Sequence, residues 1–185
     1  MFQKSSSNSV VIKTSPSLAL IKYWGKAKSG YNIPATTSIA VTLEGLTTTT
    51  LLKKEGTGKL LIKAGAQKLE QSLLEYLTLV KKYKKIIMLP DAFSINNFPT
   101  AAGVASSSSG FAALALGILA LETTRLQSIE DPGMFIGKQS FLKEASMLAR
   151  LGSVSASRAV YGGFTLLKRG SQYAEKLADA SYWSD

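Results

Sequence analysis

An apolar run that follows directly on a segment of small residues constrains the fold of this chain more than any other feature. Residues 96–110 read NNFPTAAGVASSSSG, and residues 111–121 read FAALALGILAL. A run without polar positions is typical of a helix that is buried on all sides. Small residues let a ligand approach the backbone, and the N–H groups and dipole of a first helical turn favour an anion. The sequence therefore predicts a buried helix preceded by a loop that binds a polyphosphate. The loop lacks the Gly-Lys-Ser/Thr of the familiar nucleotide-binding loop. The alternative interpretation is a serine-rich turn in which a Ser caps the N-terminus of a core helix.

Composition places the chain among single-domain proteins and excludes several kinds of site. Its 185 residues, 45% of them hydrophobic, are enough to bury a core. The chain has no Cys and no His, which excludes disulfides, thiolate chemistry, Cys/His zinc sites and a His general base. The N-terminal residues lack the apolar core of a signal peptide, and residues 111–121 are too short for a bilayer, which takes about 20 residues. We expect a soluble, cytoplasmic protein that does not bind membranes.

Positive charge is concentrated in the first half of the chain. Residues 1–90 contain fourteen Lys and four Glu, whereas residues 91–185 contain eight basic and eight acidic residues. A basic half suits an anionic partner, whether nucleic acid, acidic lipid or a phosphorylated small molecule. The densest run, KKYKK at 81–85, is accompanied by no nucleic-acid-binding motif. We interpret it as the solvated end of a helix, where cations meet the negative end of the dipole, and expect no nucleic-acid partner.

Hydrophobic periodicity predicts an alternation of strands and helices without a linker that would divide the chain. Extended segments are expected at 10–14, 38–43, 47–53, 60–63, 86–95 and 161–167. Segments 38–43 and 47–53 are expected to pair as a hairpin around the turn at Glu44-Gly45. Helices are expected at 67–82, 111–121 and 140–151. The predicted buried faces of the first and third of these helices are Leu69, Leu73, Leu74, Leu77 and Val80, and Phe141, Leu142, Ala145, Leu148 and Ala149.

Two further motifs carry groups that can bind anions. In SLALIKYWGK at 17–26, two lysines flank an aromatic pair and Gly25 permits a bend, so Lys22 and Lys26 can together neutralise a diphosphate. The alternative is a strand end with exposed lysines. In ARLGSVSASR at 149–158, the serine hydroxyls and Arg158 can bind a carboxylate or phosphate through charge-assisted hydrogen bonds. Alone, that motif would equally suit a serine-rich cap with a surface arginine.

Taken together and in this order, the motifs closely resemble the mevalonate diphosphate decarboxylase family of the GHMP kinase superfamily. The matching stretches are ALIKYWGK at 19–26, NIPATTSI at 32–39, NNFPTAAGVASSSSGFAAL at 96–114 and ARLGSVSASRAVYGGF at 149–164. The resemblance implies an α+β domain of the GHMP type, with a mixed β-sheet and helices packed on one side. It also implies phosphorylation of the 3-hydroxyl of mevalonate 5-diphosphate by ATP with Mg²⁺. Loss of phosphate and carbon dioxide would then give isopentenyl diphosphate, and the full-length enzyme is expected to be a homodimer.

The resemblance assigns a role to residues of all three motifs. Catalytic roles are implied for Lys22, beside the reacting hydroxyl, for Arg158, on the carboxylate, and for Ser107, at the ATP phosphates. Substrate contacts are implied for Tyr23, Trp24, Gly25, Lys26, Ser153, Val154, Ser155, Ala156, Ser157 and Arg158. Contacts with ATP are implied for Pro99, Gly103, Ala105, Ser106, Ser107 and Ser108. No residue is assigned as a metal ligand.

One group that the family's reaction requires has no match in this sequence. The family's catalytic aspartate lies in a C-terminal half, and the context of Asp91 and Asp179 is that of ordinary turn residues. We expect residues 1–185 to be the N-terminal, ATP- and substrate-binding domain, without the C-terminal domain. Such a chain would expose apolar surface and self-associate. Three alternatives remain open: a decarboxylase of a mevalonate monophosphate, a mevalonate kinase relative, and a ligand-binding remnant without catalysis.

Overall fold

The fold was analysed in a computed structural model of the chain. The structure describes residues 2–6, 8–28, 31–54, 60–62, 67–84, 90–99, 106–127 and 138–179. The strands within these ranges are β1 (Phe2–Ser6), β2 (Ser9–Thr14), β3 (Ser17–Ile21), β4 (Lys26–Lys28), β5 (Ile33–Pro34), β6 (Ser38–Thr42), β7 (Thr48–Lys53), β8 (Leu60–Ile62), β9 (Asp91–Asn96), β10 (Phe164–Leu167) and β11 (Glu175–Ala178). The helices are α1 (Gln67–Lys84), α2 (Ser106–Gln127), α3 (Gln139–Gly152) and α4 (Ala156–Ala159).

The described strands form two larger sheets and one short ribbon. The five-stranded sheet has the order β1-β2-β7-β9-β8, the four-stranded sheet has the order β11-β10-β6-β3, and β4 pairs with β5. The first sheet is mixed, because β8 runs parallel to β9 while its other pairs are antiparallel. The expected α+β class with a mixed sheet is confirmed, but as two sheets rather than one.

Helix α2 lies at the centre of the core. Every residue from Phe111 to Leu121 is buried, as the apolar run predicts. The helix contacts two strands that precede it in the sequence, β2 and β7, and two helices that follow it, α3 and α4. On β2 and β7 the inward-facing positions are buried, as is Ala92 on β9, whereas Phe93 and Ile95 on the opposite face of β9 remain 42% and 44% exposed. The helices therefore cover one face of the five-stranded sheet.

The remaining helices pack through faces close to those predicted. On α1 the buried residues are Leu73, Tyr76, Leu77 and Val80, which follow the i, i+3, i+4, i+7 spacing. The Tyr76 ring lies 4.9 Å from that of Phe111 and joins α1 to α2. The prediction for Leu74 is wrong, since its side chain is exposed and Tyr76 takes the inward position. The side chain of Leu69 lies outside the described residues. On α3 the predicted face is buried except for Leu142, which is partly buried.

The predicted hairpin between 38–43 and 47–53 is wrong. Strand β6 pairs with β3 and β10, whereas β7 pairs with β2 and β9 in the other sheet. The turn between them is bound instead by the residue that follows β9: Asn97 Nδ2 donates to the Gly45 carbonyl at 2.8 Å, and Asn97 Oδ1 accepts from the Thr47 N–H at 2.7 Å. The chain therefore crosses from one sheet to the other at residues 43–47.

Several element boundaries differ from the predicted ones. Helix α2 begins at Ser106, so the four serines form its first turn rather than a loop. Strand β10 begins at Phe164 rather than Tyr161, because Gly162 and Gly163 have φ angles of 73° and 72°, outside the β region. Asp91 was expected in a turn but is the first residue of β9. The expected extended segment is observed over 91–96, and residues 85–89 lie outside the described ranges, as do residues 128–137 and 180–185.

The described part of the basic run, residues 81–84, lies where the sequence predicts it, in the last turn of α1, and Lys85 lies outside the described residues. Lys81 and Lys82 are exposed, and Lys84 forms an ion pair with Glu144 of α3. Partial burial lowers the pKa of Lys84, and the neighbouring Glu122 acts in the opposite direction. Among the described residues, no helix is both long enough and apolar enough to cross a membrane.

The close contact between α2 and β7 makes a stability prediction. A Cβ added at Gly117 would lie 2.2 Å from Leu52 Cδ1, and Leu52 is fully buried. We expect Gly117→Ala to lower the free energy of unfolding by about 1–3 kcal/mol through overpacking. Gly110→Ala in the same helix is the matched control, because no atom lies within 4 Å of its added Cβ. That control should gain up to about 1 kcal/mol from helix propensity. Urea unfolding measures both, and equal effects would contradict this packing.

Candidate functional site

The segment after β3 presents the first motif at the surface. Lys22 and Lys26 are exposed, Tyr23 is half-buried, and Trp24 is 75% exposed. Gly25 has a φ of 72°, which confirms the predicted bend. The Trp24 N–H donates to Thr36 Oγ1 at 2.7 Å, and the Gly25 carbonyl accepts from the Ala35 N–H at 3.3 Å. The segments 22–26 and 32–38 therefore lie side by side, and both lysine side chains are accessible to a ligand.

Arg158 is the most unusual group of the third motif, because it is a buried cation. Its side chain is 1% exposed on α4. One terminal nitrogen, Nη1, donates to the hydroxyl of Ser38 on β6, while Nε has no hydrogen-bond partner. Across the described ranges, no carboxylate forms an ion pair with it. Burial lowers the pKa of Arg158, and the nearby Tyr23 phenol opposes that shift. A buried guanidinium with an unpartnered donor is costly unless a further group pairs with it, and an anion is the strongest partner that it could take.

The serine-rich loop before α4 divides into inward and outward residues. Ser153 and Ser155 are half-buried, and their Oγ atoms lie 3.0 Å apart. Ser157 is buried, and its Oγ donates to the Val154 carbonyl at 2.8 Å. The side chains of Val154 and Ala156 are buried as well. Of the residues expected to contact substrate, Ser153 and Ser155 therefore present hydroxyls, while Val154, Ala156 and Ser157 belong to the packed base of the loop.

The first turn of α2 divides in the same way. Ser107 is exposed and Ser106 half-buried, whereas Ser108 is fully buried and its Oγ accepts from the Ser17 N–H at 3.3 Å. Pro99 is exposed. Gly103 and Ala105 lie outside the described residues. Among the serines of this turn, Ser106 and Ser107 are the ones that a ligand can reach, and Ser108 joins the helix to β3.

Hydrogen bonds connect all three motifs through β3 and the segment before β6. Arg158 of the third motif donates to Ser38, which ends the NIPATTS segment that lies beside Trp24 and Gly25. The first turn of α2 contacts the other end of β3, through Ser108 and Ser17. A substrate with several negative charges is bound by groups of the kinds found here: exposed amines, a guanidinium, serine hydroxyls and a helix N-terminus.

Sequence reasoning missed a second buried arginine that holds the site together. Arg150 is 1% exposed near the end of α3; its Nε donates to the Gln172 carbonyl at 2.8 Å, and its Nη1 donates to the Tyr31 carbonyl. Asn32 Nδ2 donates to the Leu151 carbonyl at 2.8 Å, with a left-handed φ of 51° that Asn tolerates. These bonds fix the segment before β5 onto the end of α3. No pattern in the sequence pointed to it, because Arg150 lies outside the predicted apolar face of α3, on the side opposite Phe141, and both carbonyls that it binds belong to other segments.

The two buried arginines make a matched stability prediction. Arg150 binds two backbone carbonyls that would lose a charged donor, so Arg150→Met should cost about 1.5–3 kcal/mol for each bond. Arg158 lacks a carboxylate partner in the described part of the chain, so Arg158→Met should change the free energy of unfolding by under about 1 kcal/mol, or raise it. Denaturant unfolding of both variants tests this. Equal losses would identify Arg158 as a structural residue rather than a ligand-binding one.

Comparison with known proteins agrees with this geometry. The family model described as "Diphosphomevalonate decarboxylase-like N-terminal domain" matches residues 14–179. The chain is 32% identical to the diphosphomevalonate decarboxylase of Danio rerio over 200 residues, which cover 95% of this chain and 46% of that protein. It is similar to the solved mevalonate diphosphate decarboxylase of Enterococcus faecalis, with a TM-score of 0.72 and 31% identity over 92% of this chain and 52% of that one.

A solved structure described as MDDEF in complex with MVAPP, AMPPCP and magnesium is similar to the same degree, with a TM-score of 0.72 and 31% identity over 92% of this chain and 51% of that one. The chain thus spans about half the length of the relatives that it matches. The GHMP-kinase type of α+β fold that the motifs implied is confirmed. The chain belongs to the diphosphomevalonate decarboxylase family and corresponds to the N-terminal part of its members.

Proposed function

We propose that this chain is the ATP- and substrate-binding part of an enzyme that decarboxylates mevalonate 5-diphosphate to isopentenyl diphosphate. Residues 1–185 would form the N-terminal domain, and the family's C-terminal domain would lie outside them. Family membership supports the reaction, and the 46% coverage of the Danio rerio relative supports the assignment to one domain.

The observation that carries the proposal is the environment of Arg158. A guanidinium that is 99% buried, with Nε unpartnered and one serine at Nη1, is costly unless an anion pairs with it. The substrate has a carboxylate in addition to its diphosphate. Arg158 would hold that carboxylate, and the hydroxyls of Ser153 and Ser155, whose Oγ atoms lie 3.0 Å apart in the loop before α4, would accept or donate further hydrogen bonds. The exposed amines of Lys22 and Lys26 would neutralise further charge on the substrate.

These roles fit an elimination that follows phosphoryl transfer. ATP supplies the phosphoryl group that turns the 3-hydroxyl into a leaving group. The bond between the carboxyl carbon and its neighbour then breaks, its electron pair forms the carbon–carbon double bond, and phosphate departs from C3. Arg158 would fix the carboxylate so that the breaking bond is aligned with the leaving phosphate.

Nucleotide binding is assigned to the start of α2. Ser106 and Ser107 are the accessible residues of its first turn, and the N-terminus of a 22-residue helix favours phosphate. Complexes of an ATP analogue with magnesium are known for a similar structure. In the described segments, no three His, Cys, Asp or Glu side chains come together. We assign magnesium to the nucleotide's phosphates, where it would offset charge during transfer.

The aspartate whose carboxylate would accept the proton of the 3-hydroxyl is not assigned to this chain. Asp91 begins a strand of the five-stranded sheet, and Asp179 forms an ion pair with Lys176 just after β11. Neither belongs to a motif of the site. The proposed enzyme would obtain its acid from the C-terminal domain, function as a homodimer when that domain is present, and act in the cytoplasm.

The decisive experiment measures ADP and carbon dioxide when the chain is given ATP, magnesium and mevalonate 5-diphosphate. Equal amounts of both would establish the decarboxylase and place the acid within 1–185. ADP alone would identify a kinase of mevalonate or its phosphates. With neither product, calorimetric titration of AMPPCP and of mevalonate 5-diphosphate separates the remaining cases. Binding of both would support a domain that needs its C-terminal half, or a ligand-binding remnant, and absence of both would refute the proposal. Titration with mevalonate 5-phosphate distinguishes a monophosphate enzyme.

Two substitutions should separate the two ligands. Arg158→Lys keeps the charge but loses the planar donor geometry, so the Kd for mevalonate 5-diphosphate should rise by about tenfold, for about 1.4 kcal/mol, with AMPPCP affinity unchanged. Ser107→Ala should weaken AMPPCP and leave the substrate unaffected, because Ser107 lies at the start of α2 and is exposed. Titration of each variant with each ligand measures the four values. If Arg158→Lys bound the substrate like wild type, the carboxylate assignment would be wrong.

A further inference from the structure

A buried hydroxyl on β7 connects the residues on the two sides of 100–105. Thr48 Oγ1 donates to Asn96 Oδ1 at 2.7 Å and lies 2.6 Å from Ser109 Oγ. Asn96 ends β9 shortly before residues 100–105, and Ser109 lies in the first turn of α2 shortly after them. Thr48 is 1% exposed and Ser109 is fully buried, so water does not compete for these bonds.

The protons of this group can be assigned from its geometry. A threonine hydroxyl has one proton and two acceptor positions. Because Thr48 donates to the carboxamide oxygen of Asn96, it accepts from Ser109. The Ser109 proton also faces the Ser106 carbonyl at 3.1 Å, within the same turn of α2. The hydroxyl of Thr48 is therefore hydrogen-bonded both to the end of β9 and to the first turn of α2.

Other hydrogen bonds connect either the end of β9 or the first turn of α2 to neighbouring segments, but do not connect the two to each other. Asn97 binds the 45–47 turn through its side chain and its own N–H, which donates to the Thr47 carbonyl at 3.0 Å. On the helix side, Thr14 Oγ1 of β2 donates to the Ser109 carbonyl at 2.8 Å. Each of these contacts ties one flank to the sheet. Thr48 is the group that contacts both, among the residues that the structure describes.

We propose that Thr48 is a positioning residue for the nucleotide: its hydroxyl sets the start of α2 relative to the end of β9, and so places Ser106 and Ser107 for the phosphates. This inference rests on the nucleotide-binding role proposed above. Thr48 does not touch the ligand. Its hydroxyl acts through Asn96 and Ser109, so its removal should lower the affinity for the nucleotide as well as the stability of the fold.

The chain provides a matched control on the same strand. Thr50 faces the same side of β7, is also fully buried, and bonds across to β9 through Ser94 Oγ at 2.9 Å. In the sheet register Thr48 pairs with Asn96 and Thr50 pairs with Ser94. The two threonines differ in that Thr48 also reaches Ser109 in α2. Replacement of either by Val removes one buried hydroxyl at constant shape and should lower stability by a similar amount.

The test compares the complete 185-residue chain with Thr48→Val, Thr48→Ser and Thr50→Val. AMPPCP with magnesium is titrated by calorimetry, and thermal unfolding is recorded for each protein. We expect Thr48→Val to raise the Kd for AMPPCP about tenfold, the equivalent of one hydrogen bond of about 1.4 kcal/mol. Thr48→Ser keeps the hydroxyl and should bind like wild type, as should Thr50→Val. Equal Kd values for the two Val variants would overturn the proposal.

Hydrogen exchange without nucleotide tests the same inference independently of ATP binding. Thr48→Val should accelerate exchange of the amides at 96–98 and 106–110, whereas Thr50→Val should leave those amides as protected as in wild type. If wild type does not bind AMPPCP, the nucleotide assignment fails, and the exchange result still decides whether Thr48 holds the two flanks. Equal exchange in the two Val variants would show that the hydroxyl has no positioning role.

Discussion

Burial of α2 on all sides is the constraint on which the rest of this structure depends. A helix whose residues from Phe111 to Leu121 are all buried must be covered by a sheet and by other helices together. It contacts β2 and β7, α3 and α4, and through Phe111 it meets α1. Its N-terminus is consequently held inside the fold, where polar groups need partners. The serines of the first turn provide them, and two of these side chains become structural while the other two stay accessible to a ligand.

Two buried arginines show how one residue type serves opposite purposes in one domain. Arg150 donates to the carbonyls of Tyr31 and Gln172, so its charge is dispersed over backbone groups that need a donor. Arg158 has the hydroxyl of Ser38 and an unpartnered Nε. Burial lowers the pKa of both guanidinium groups, yet the hydrogen-bond partners differ. The arginine with its donors occupied stabilises the fold, and the one with a donor to spare is suited to an anionic ligand.

Local patterns in the sequence were sufficient for most elements. The apolar run, the spacing on α1 and α3, and the strands at 9–14, 38–42 and 60–62 follow from periodicity and from glycine or proline punctuation. Strand pairing did not follow. A turn at Glu44-Gly45 favours a hairpin locally, but Asn97, just after β9, binds that turn, and β7 enters the other sheet. Tyr76 is buried and Leu74 is exposed for a similar reason: Tyr76 contacts Phe111 of α2, and a contact between helices cannot be deduced from the pattern of α1 alone.

The sequence alone determined the chemistry that is available: no thiol or imidazole, many amines, and three motifs sufficient to identify the family. It did not determine which residues of those motifs face a ligand. Four consecutive serines are chemically equivalent in the sequence, and only packing of α2 against β3 and β7 makes Ser108 and Ser109 internal. The same holds for Arg158, whose burial depends on Ser38, 120 residues away along the chain. Contacts between distant segments set burial, and burial decides whether a polar group stabilises the fold or is left for a ligand.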